Sequence, residues 1–113
     1  MQQWELLINI MQDKDENDAI RDDAIIDLYK FNNECVIKAL IKESLDENNN
    51  DMLRASCGET LGQIWIENDN IDFETLIKLK GNTLDEVIGQ IKHNREDWYK
   101  HYLSIINEDC NFI

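Results

Sequence analysis

Few residues of this chain have the types and spacing that catalysis requires. The only histidines, His93 and His101, are eight positions apart and do not belong to the H-E-x-x-H pattern that places two zinc ligands on one helix face. Gly58-Glu-Thr-Leu-Gly62 contains two glycines, but no G-x-x-x-x-G-K-[ST] sequence exists to hold a phosphate. No G-x-S-x-G sequence presents a nucleophilic serine. We therefore expect no catalytic residues and no enzymatic activity.

The possible metal ligands are also poorly arranged. The chain has three cysteines, an odd number, and no C-x-x-C pair: Cys35, Cys57 and Cys110. A zinc site is therefore not expected. Asp13-Lys-Asp15-Glu-Asn17 places acids at alternating positions, as a calcium loop does, but Asp18 stands where the EF-hand pattern requires glycine. We expect neither a metal nor another cofactor, and reduced thiols in a cytoplasmic setting.

Charge is the most marked property of the composition. The chain has 24 acidic residues and 11 Lys or Arg residues, for a net charge of −13. Such an excess repels nucleic acids and anionic membranes and attracts basic surfaces. It is equally consistent with an acidic surface that serves solubility alone, and the composition leaves both interpretations open. The N-terminal segment lacks the features of a secretory signal, and no apolar run approaches the ~18 residues that a membrane span requires. We expect a cytoplasmic protein that binds neither nucleic acid nor membrane.

The elements that position these acids are predicted to be helices. The chain has no proline, and apolar residues recur with the 3.6-residue period of a helix almost from end to end. A first helix is expected near residues 3–12 and a second from about Asp18 to Phe31. A short fifth helix is expected to turn Phe73, Leu76 and Ile77 inward. The prediction is an all-α single domain over residues 1–113, with six to seven helices.

Particular residues mark the predicted helix ends. Asn33 and Asp51 are predicted N-caps, and Gly81 is a predicted C-cap of the fifth helix. Thr83-Leu-Asp-Glu86 has the pattern of a capping box that opens the sixth helix. The apolar stripe lapses over residues 92–97, which favours a break near Asn94 over one continuous helix.

An internal repeat indicates how the helices are arranged. Two blocks share acidic, basic and apolar positions at an offset of 33 residues: Asp18, Arg21, Ala24 and Leu28 align with Asp51, Arg54, Cys57 and Leu61. Leu40-Ile-Lys42 also aligns with Leu76-Ile-Lys78, at an offset of 36. A two-helix unit of this size cannot bury its apolar face alone, so we expect antiparallel helix pairs that stack on one another.

The second block resembles a known repeat family. Asp51-x-x-Arg54-x-x-Cys57-x-x-x-Leu61-Gly62-x-Ile64 is similar to the D-x-x-R-x-x-A-x-x-x-L-G-x-I line of short HEAT-like repeats of the phycobilin-lyase type. The first block repeats the line with Tyr29 in place of glycine, and the resemblance covers roughly residues 18–80. It implies a short α-solenoid in which Gly62 permits close approach of a neighbouring helix and the acidic and basic positions form a charged ladder: Asp18, Arg21, Asp51 and Arg54. It indicates architecture rather than function.

The predicted stack gathers acids that are distant in sequence. In helices of alternating direction, loops 13–17 and 46–50 fall on the same edge, and a second acidic group falls on the opposite edge. Near the starts of helices, Asp18 and Asp51 also suit the positive end of the helix dipole. The candidate partner-binding residues are Asp13, Asp15, Glu16, Asp22, Asp23, Asp46 and Glu47 at the first edge, and Glu67, Asp69 and Asp72 at the second.

Size, acidity and the lack of catalytic groups favour a binding protein. A nuclease must hold a positive cleft for phosphates, and a compact acidic protein docks on such a cleft by charge complementarity. In these respects the chain resembles the small acidic immunity proteins of bacterial toxin–immunity systems, including those of contact-dependent growth inhibition. We therefore predict an immunity protein whose partner is a basic toxin domain of the nuclease type. The alternatives are a HEAT-like scaffold or adaptor, and an acidic mimic of nucleic acid that inhibits a DNA- or RNA-binding protein.

Overall fold

The computed structural model describes the backbone of residues 1–110 and the side chains of residues 1–107. No strand occurs in that part of the chain, so the predicted all-α fold is confirmed. The predicted domain extends to residue 113, and residues 111–113 lie outside the described part. A 3₁₀ turn, Leu28–Lys30, follows the second helix. The helices are α1 (Gln3–Gln12), α2 (Asp18–Asp27), α3 (Glu34–Leu45), α4 (Asp51–Glu67), α5 (Phe73–Leu76), α6 (Gly81–Asn94) and α7 (Glu96–Cys110).

Asparagine side chains cap the first turns of α2, α3 and α4. Each Oδ1 atom accepts a hydrogen bond of 2.7–3.0 Å from a backbone N–H two or three residues further on, in the pairs Asn17–Ala19, Asn33–Val36 and Asn50–Leu53. Each bond supplies an acceptor for a backbone N–H group of the first turn, which has no partner within the helix. The prediction for Asn33 is confirmed. Asp51 is the first residue of α4 rather than its cap, because Asn50 fills that position.

The central helix of the fold is α4. It packs against α2 on one side and α6 on the other, and it also contacts α3. Leu53, Cys57 and Ile64 of α4 belong to an apolar cluster shared with α1, α2 and α3. Leu61 and Trp65 belong to a second cluster, shared with α6 and α7. One helix therefore contributes to both apolar clusters and links them.

The structural repeat is an antiparallel helix pair, α1–α2 followed by α3–α4. Arg21 Nε donates to the carbonyl of Met11 at 2.8 Å, and Arg54 Nε donates to the carbonyl of Ser44 at 3.1 Å. Each arginine bonds a carbonyl 10 residues earlier, and the two bonds are related by the predicted offset of 33. Stacked helix pairs are confirmed, but the repeating unit begins at α1 rather than α2.

The fifth helix is shorter than the sequence pattern predicts. It ends at Leu76 after a single turn, and Ile77, which was expected to face inward, is 50% exposed. The N–H groups of Lys78 and Leu79 bond carbonyls three residues earlier, so the chain tightens and turns away from α-helical geometry. Leu79 is thereby buried in place of Ile77.

The sixth helix begins earlier than the capping box predicts. Its first residue is Gly81, whose φ of +56° lies in the left-handed region that glycine adopts readily. Thr83 is buried within the helix, and its hydroxyl donates to the carbonyl of Arg54 at 3.0 Å. The capping box and the C-cap role of Gly81 are therefore wrong. The predicted break is confirmed, because α6 ends at Asn94 and α7 begins at Glu96.

Helices α4 and α6 cross most closely at Gly58. A Cβ added to Gly58 would overlap the backbone carbonyl of Thr83 and lie 3.0 Å from its Cα. A Cβ added to Gly62, the glycine expected to permit close approach, would lie 3.3 Å from the Gln90 side chain. A flexible side chain can move aside more easily than a backbone can. Gly58 is therefore the residue that permits the crossing.

Gly58→Ala is expected to lower the free energy of unfolding by about 1–3 kcal/mol, the usual cost of over-packing, because α6 must move away from α4. Gly89→Ala is the matched control, since a Cβ added there would meet no atom within 4 Å beyond the adjacent backbone of its own helix. It is expected to raise stability by about 0.5–1 kcal/mol through helix propensity. Urea unfolding measures both changes. A Gly58 variant as stable as the parent would contradict the close crossing.

A candidate acidic binding edge

The loops between α1 and α2 and between α3 and α4 lie side by side. Lys14 Nζ, in the first loop, is 3.1 Å from Asp46 Oδ2 at the start of the second. Asn50 Nδ2, at the end of the second loop, donates to Asp18 Oδ2 at 2.7 Å. These contacts hold both loops at one end of the helix stack. We name this surface the acidic edge and define it as residues 13–18 and 46–51.

The two loops of the acidic edge have the same local structure. Asp13 and Asp46 end α1 and α3, and each carboxylate accepts the backbone N–H two residues later, at 3.0 and 2.9 Å. The bond from the Asn48 amide, together with the bond from Lys14, holds the pKa of Asp46 below its usual range. The sequence repeat therefore extends into the loops and gives their acids similar positions.

A buried charged network lies beneath the acidic edge. Arg21 and Glu43 are each 5% exposed, and Arg21 Nη2 lies 3.5 Å from Glu43 Oε2. Asn49 accepts a hydrogen bond from Arg21 at 2.9 Å and donates one to Glu43 at 2.8 Å. Lys14 Nζ lies 2.9 Å from the same Glu43 oxygen. In the described part of the chain, every buried side-chain nitrogen and oxygen has a hydrogen-bond partner.

Glu43 and Asn49 are absent from the residues predicted from the sequence. For Glu43 a signal exists, because it follows Val36 by seven positions and Leu40 by three, and so shares their buried helix face. Its equivalent in α1 at the offset of 33 is Ile10, an apolar residue. Asn49 carries no such signal, since it lies within a run of polar residues.

The acids of the acidic edge differ in whether they form an ion pair. Asp13, Asp15 and Glu47 are exposed and Glu16 is half-buried. None of these four belongs to an ion pair among the described residues. Asp46, by contrast, is half-buried and paired with Lys14. The outer carboxylates are therefore the ones that give the edge its negative potential.

Asp22 and Asp23 lie further along α2, beyond the loops. Asp22 is half-buried and accepts a hydrogen bond from the Ser56 hydroxyl of α4, so it contributes to the contact between the two helices. Asp23 is exposed. Of this predicted pair, Asp23 is the better candidate for contact with a partner.

The second predicted group, Glu67, Asp69 and Asp72, lies at the other end of α4. The 17 residues of α4 separate its ends by about 25 Å. Asp69 is bonded to Arg95 of the α6–α7 junction, and Asp72 caps the first turn of α5. Glu67 accepts a hydrogen bond from Gln63. These acids are exposed but form a group separate from the acidic edge, and two of them have structural roles.

The two histidines and Cys57 are the side chains with the greatest chemical reactivity, and none of them has surroundings typical of a reactive site. His93 is exposed, and the exposed His101 ring packs edge-on against Phe73 with ring centres 4.6 Å apart. Burial raises the pKa of the Cys57 thiol to about 12, so the thiol stays protonated at neutral pH. In the part that the structure describes, no group of three His, Cys, Asp or Glu side chains is placed to hold a metal ion. No described helix combines the length and apolar character needed to cross a membrane.

Glu43→Gln is expected to lower the free energy of unfolding by about 2–4 kcal/mol, because it leaves the buried Arg21 without its carboxylate. Glu34→Gln is the matched control, since Glu34 is exposed and pairs with Lys38 at 3.2 Å. The control should change stability little, as exposed helix pairs contribute little. Urea unfolding followed by circular dichroism compares the two. Equal stabilities would show that Asn49 and the backbone alone satisfy the arginine.

Asp46→Asn tests the ionised contact between Asp46 and Lys14. A carboxylate with a lowered folded pKa stabilises the protein above its unfolded pKa of about 4 and loses that contribution as the pH falls through the folded pKa. The parent should therefore be more stable than the variant at about pH 7, and the difference should disappear toward about pH 2. Thermal unfolding of both proteins measures the difference in stability. A difference that does not change with pH would argue against an ionised contact.

No protein-family model, curated protein or solved structure matches this chain. The resemblance to HEAT-like repeats therefore rests on the sequence pattern alone, over roughly residues 18–80. What the chain does has to be inferred from its own surface and charge.

Proposed function

We propose that the protein is a non-catalytic binding protein whose acidic edge docks on a basic protein, and that this partner is the nuclease domain of a bacterial toxin. In this role it is an immunity protein that neutralises the toxin in the cytoplasm by direct contact. A net charge of −13 supports a cationic partner, since it repels nucleic acids and anionic membranes. The free thiols of Cys35 and Cys57 suit a reducing compartment.

The observation that carries the proposal is the juxtaposition of the two loops. The acidic edge, residues 13–18 and 46–51, contains seven carboxylates and one lysine. The contacts of Lys14 and of Asn50 bring these segments together. Lys14 and the buried Arg21 bond the inner carboxylates. The outer ones belong to no ion pair in the described part of the chain: Asp13, Asp15, Glu16 and Glu47.

A nuclease is a suitable partner because it must present a positive surface to the phosphates of its substrate. The acidic edge offers the opposite charge on the ends of packed helices, so few groups need to be ordered on binding. Complementary charges mainly accelerate association, and salt screens that effect. A protein seated on such a cleft would exclude nucleic acid without any chemical step.

Capture of the partner from native cells tests this function. The tagged protein is expected to retain a basic protein that cleaves DNA or RNA. An equimolar amount of the purified immunity protein should then stop that cleavage. Retention of a neutral or acidic protein, or cleavage that continues within the complex, would rule the function out.

The double substitution Asp15→Lys with Glu47→Lys is expected to slow association with the captured partner about tenfold or more at low ionic strength. Both side chains are exposed, so the fold should persist. Asp85→Lys with Glu86→Lys changes the net charge equally at exposed positions on α6 and is the control. Stopped-flow measurements over a range of salt concentrations compare the variants. If both double variants slow association alike, net charge alone matters and the assignment to this edge is wrong.

A further inference from the structure

A cavity lies where the α3–α4 pair meets the segment between α5 and α6. Its volume of about 440 Å³ is within the range of small-ligand pockets. Two exposed aliphatic side chains form part of its wall, Leu45 (42% exposed) and Ile77 (50% exposed). Although the chain has a net charge of −13, three of the four charged residues that line this cavity are cations: Arg54, Lys78 and Lys80, with Glu47.

Arg54 occupies the position in the second helix pair that Arg21 occupies in the first. Each Nε atom donates to a carbonyl 10 residues earlier. Each Nη1 atom lies 3.9 or 4.0 Å from the aspartate three residues earlier, Asp18 or Asp51. The two side chains therefore have the same anchorage. Arg21 contacts Glu43 of the unit that follows it, and Arg54 lines the same cavity as Ile77, Lys78 and Lys80 of the unit that follows it.

The two arginines differ in the residues that the next unit of the stack places near them. Arg21 is paired with the buried carboxylate of Glu43. The residues 33 and 36 positions after Glu43 are Leu76 and Leu79, which are buried and apolar. Among the described residues, the one ion-pair partner of Arg54 lies in its own helix. The first interface lies between the α1–α2 and α3–α4 pairs, and the second lies between the α3–α4 pair and the segment that follows it. The second interface thus has an arginine anchored as in the first, but it lacks the buried carboxylate.

We propose that this cavity binds a small organic carboxylate with a short aliphatic body. The carboxylate accepts hydrogen bonds from the guanidinium of Arg54 and from the two lysines, and so supplies the anion that the second interface lacks. A planar carboxylate matches the two parallel N–H groups that a guanidinium presents. The aliphatic body covers Leu45 and Ile77, which an inorganic anion would leave exposed.

The charges around the cavity favour an anion. Neither Lys78 nor Lys80 belongs to an ion pair within the described part of the chain. Together with Arg54 they carry three positive charges against the single negative charge of Glu47. Glu47 also belongs to the acidic edge, but the three cations of the lining do not, so the inference does not rest on the partner proposed for that edge.

Titration of the ¹⁵N-labelled protein with hexanoate, at constant ionic strength, tests the proposal. The amide signals of residues 45, 54 and 77–80 are expected to shift to saturation. The expected dissociation constant is on the order of 1 mM, because a ligand of so few non-hydrogen atoms binds weakly. Hexanamide has the same aliphatic body without the charge and should bind at least about tenfold more weakly than hexanoate.

The double substitution Lys78→Gln with Lys80→Gln removes two cations from exposed positions and should weaken hexanoate binding about tenfold. Lys38→Gln with Lys100→Gln changes the net charge equally at exposed positions that do not line the cavity, and should leave affinity unchanged. Three results would each overturn the proposal: no shift of these amides far above millimolar hexanoate, equal shifts with hexanamide, or equal affinity for both double variants.

Discussion

The alignment of the first two helix pairs depends on one buried ion pair, between Arg21 and Glu43. A charge buried alone would cost several kcal/mol, so these side chains can be buried only together, with Asn49 completing their hydrogen bonds. Apolar burial drives the helices together, but it is not directional and permits them to slide past one another. The ion pair has one good geometry. It therefore favours one placement of α3 relative to α2, in which Asn49 of the second loop lies beside Arg21.

The acidic edge follows from that placement. Crowded carboxylates repel one another and lower stability, and Lys14 relieves part of this repulsion by bonding Glu43 and Asp46. Asp13, Asp15, Glu16 and Glu47 belong to no ion pair among the described residues and lie at the ends of packed helices, an arrangement suited to recognition of a cationic protein. The second interface shows how the repeat can keep its geometry and change its chemistry, because Arg54 is anchored as Arg21 is but lacks an equivalent of Glu43.

The properties that could be predicted from the sequence are local or periodic. The helical period, the lack of proline and the offset of 33 residues predict the helices, their stacking and the proximity of the loops. The burial of Glu43 depends on Arg21, which is distant in sequence, so a polar residue on an apolar face gives only a weak signal. Ile77 continues the helical pattern, but the burial of Leu79 ends the helix instead. Whether Gly58 or Gly62 lies at the helix crossing depends on the crossing point, which no local pattern encodes.

Hydrogen–deuterium exchange of the protein, alone and bound to its captured partner, tests the recognition of the acidic edge most directly. Docking at this edge predicts that binding slows exchange mainly in residues 13–18 and 46–51, while residues 67–72 and α7 exchange as in the free protein. Protection centred on residues 67–72 or on α7, with the two loops unaffected, would contradict it.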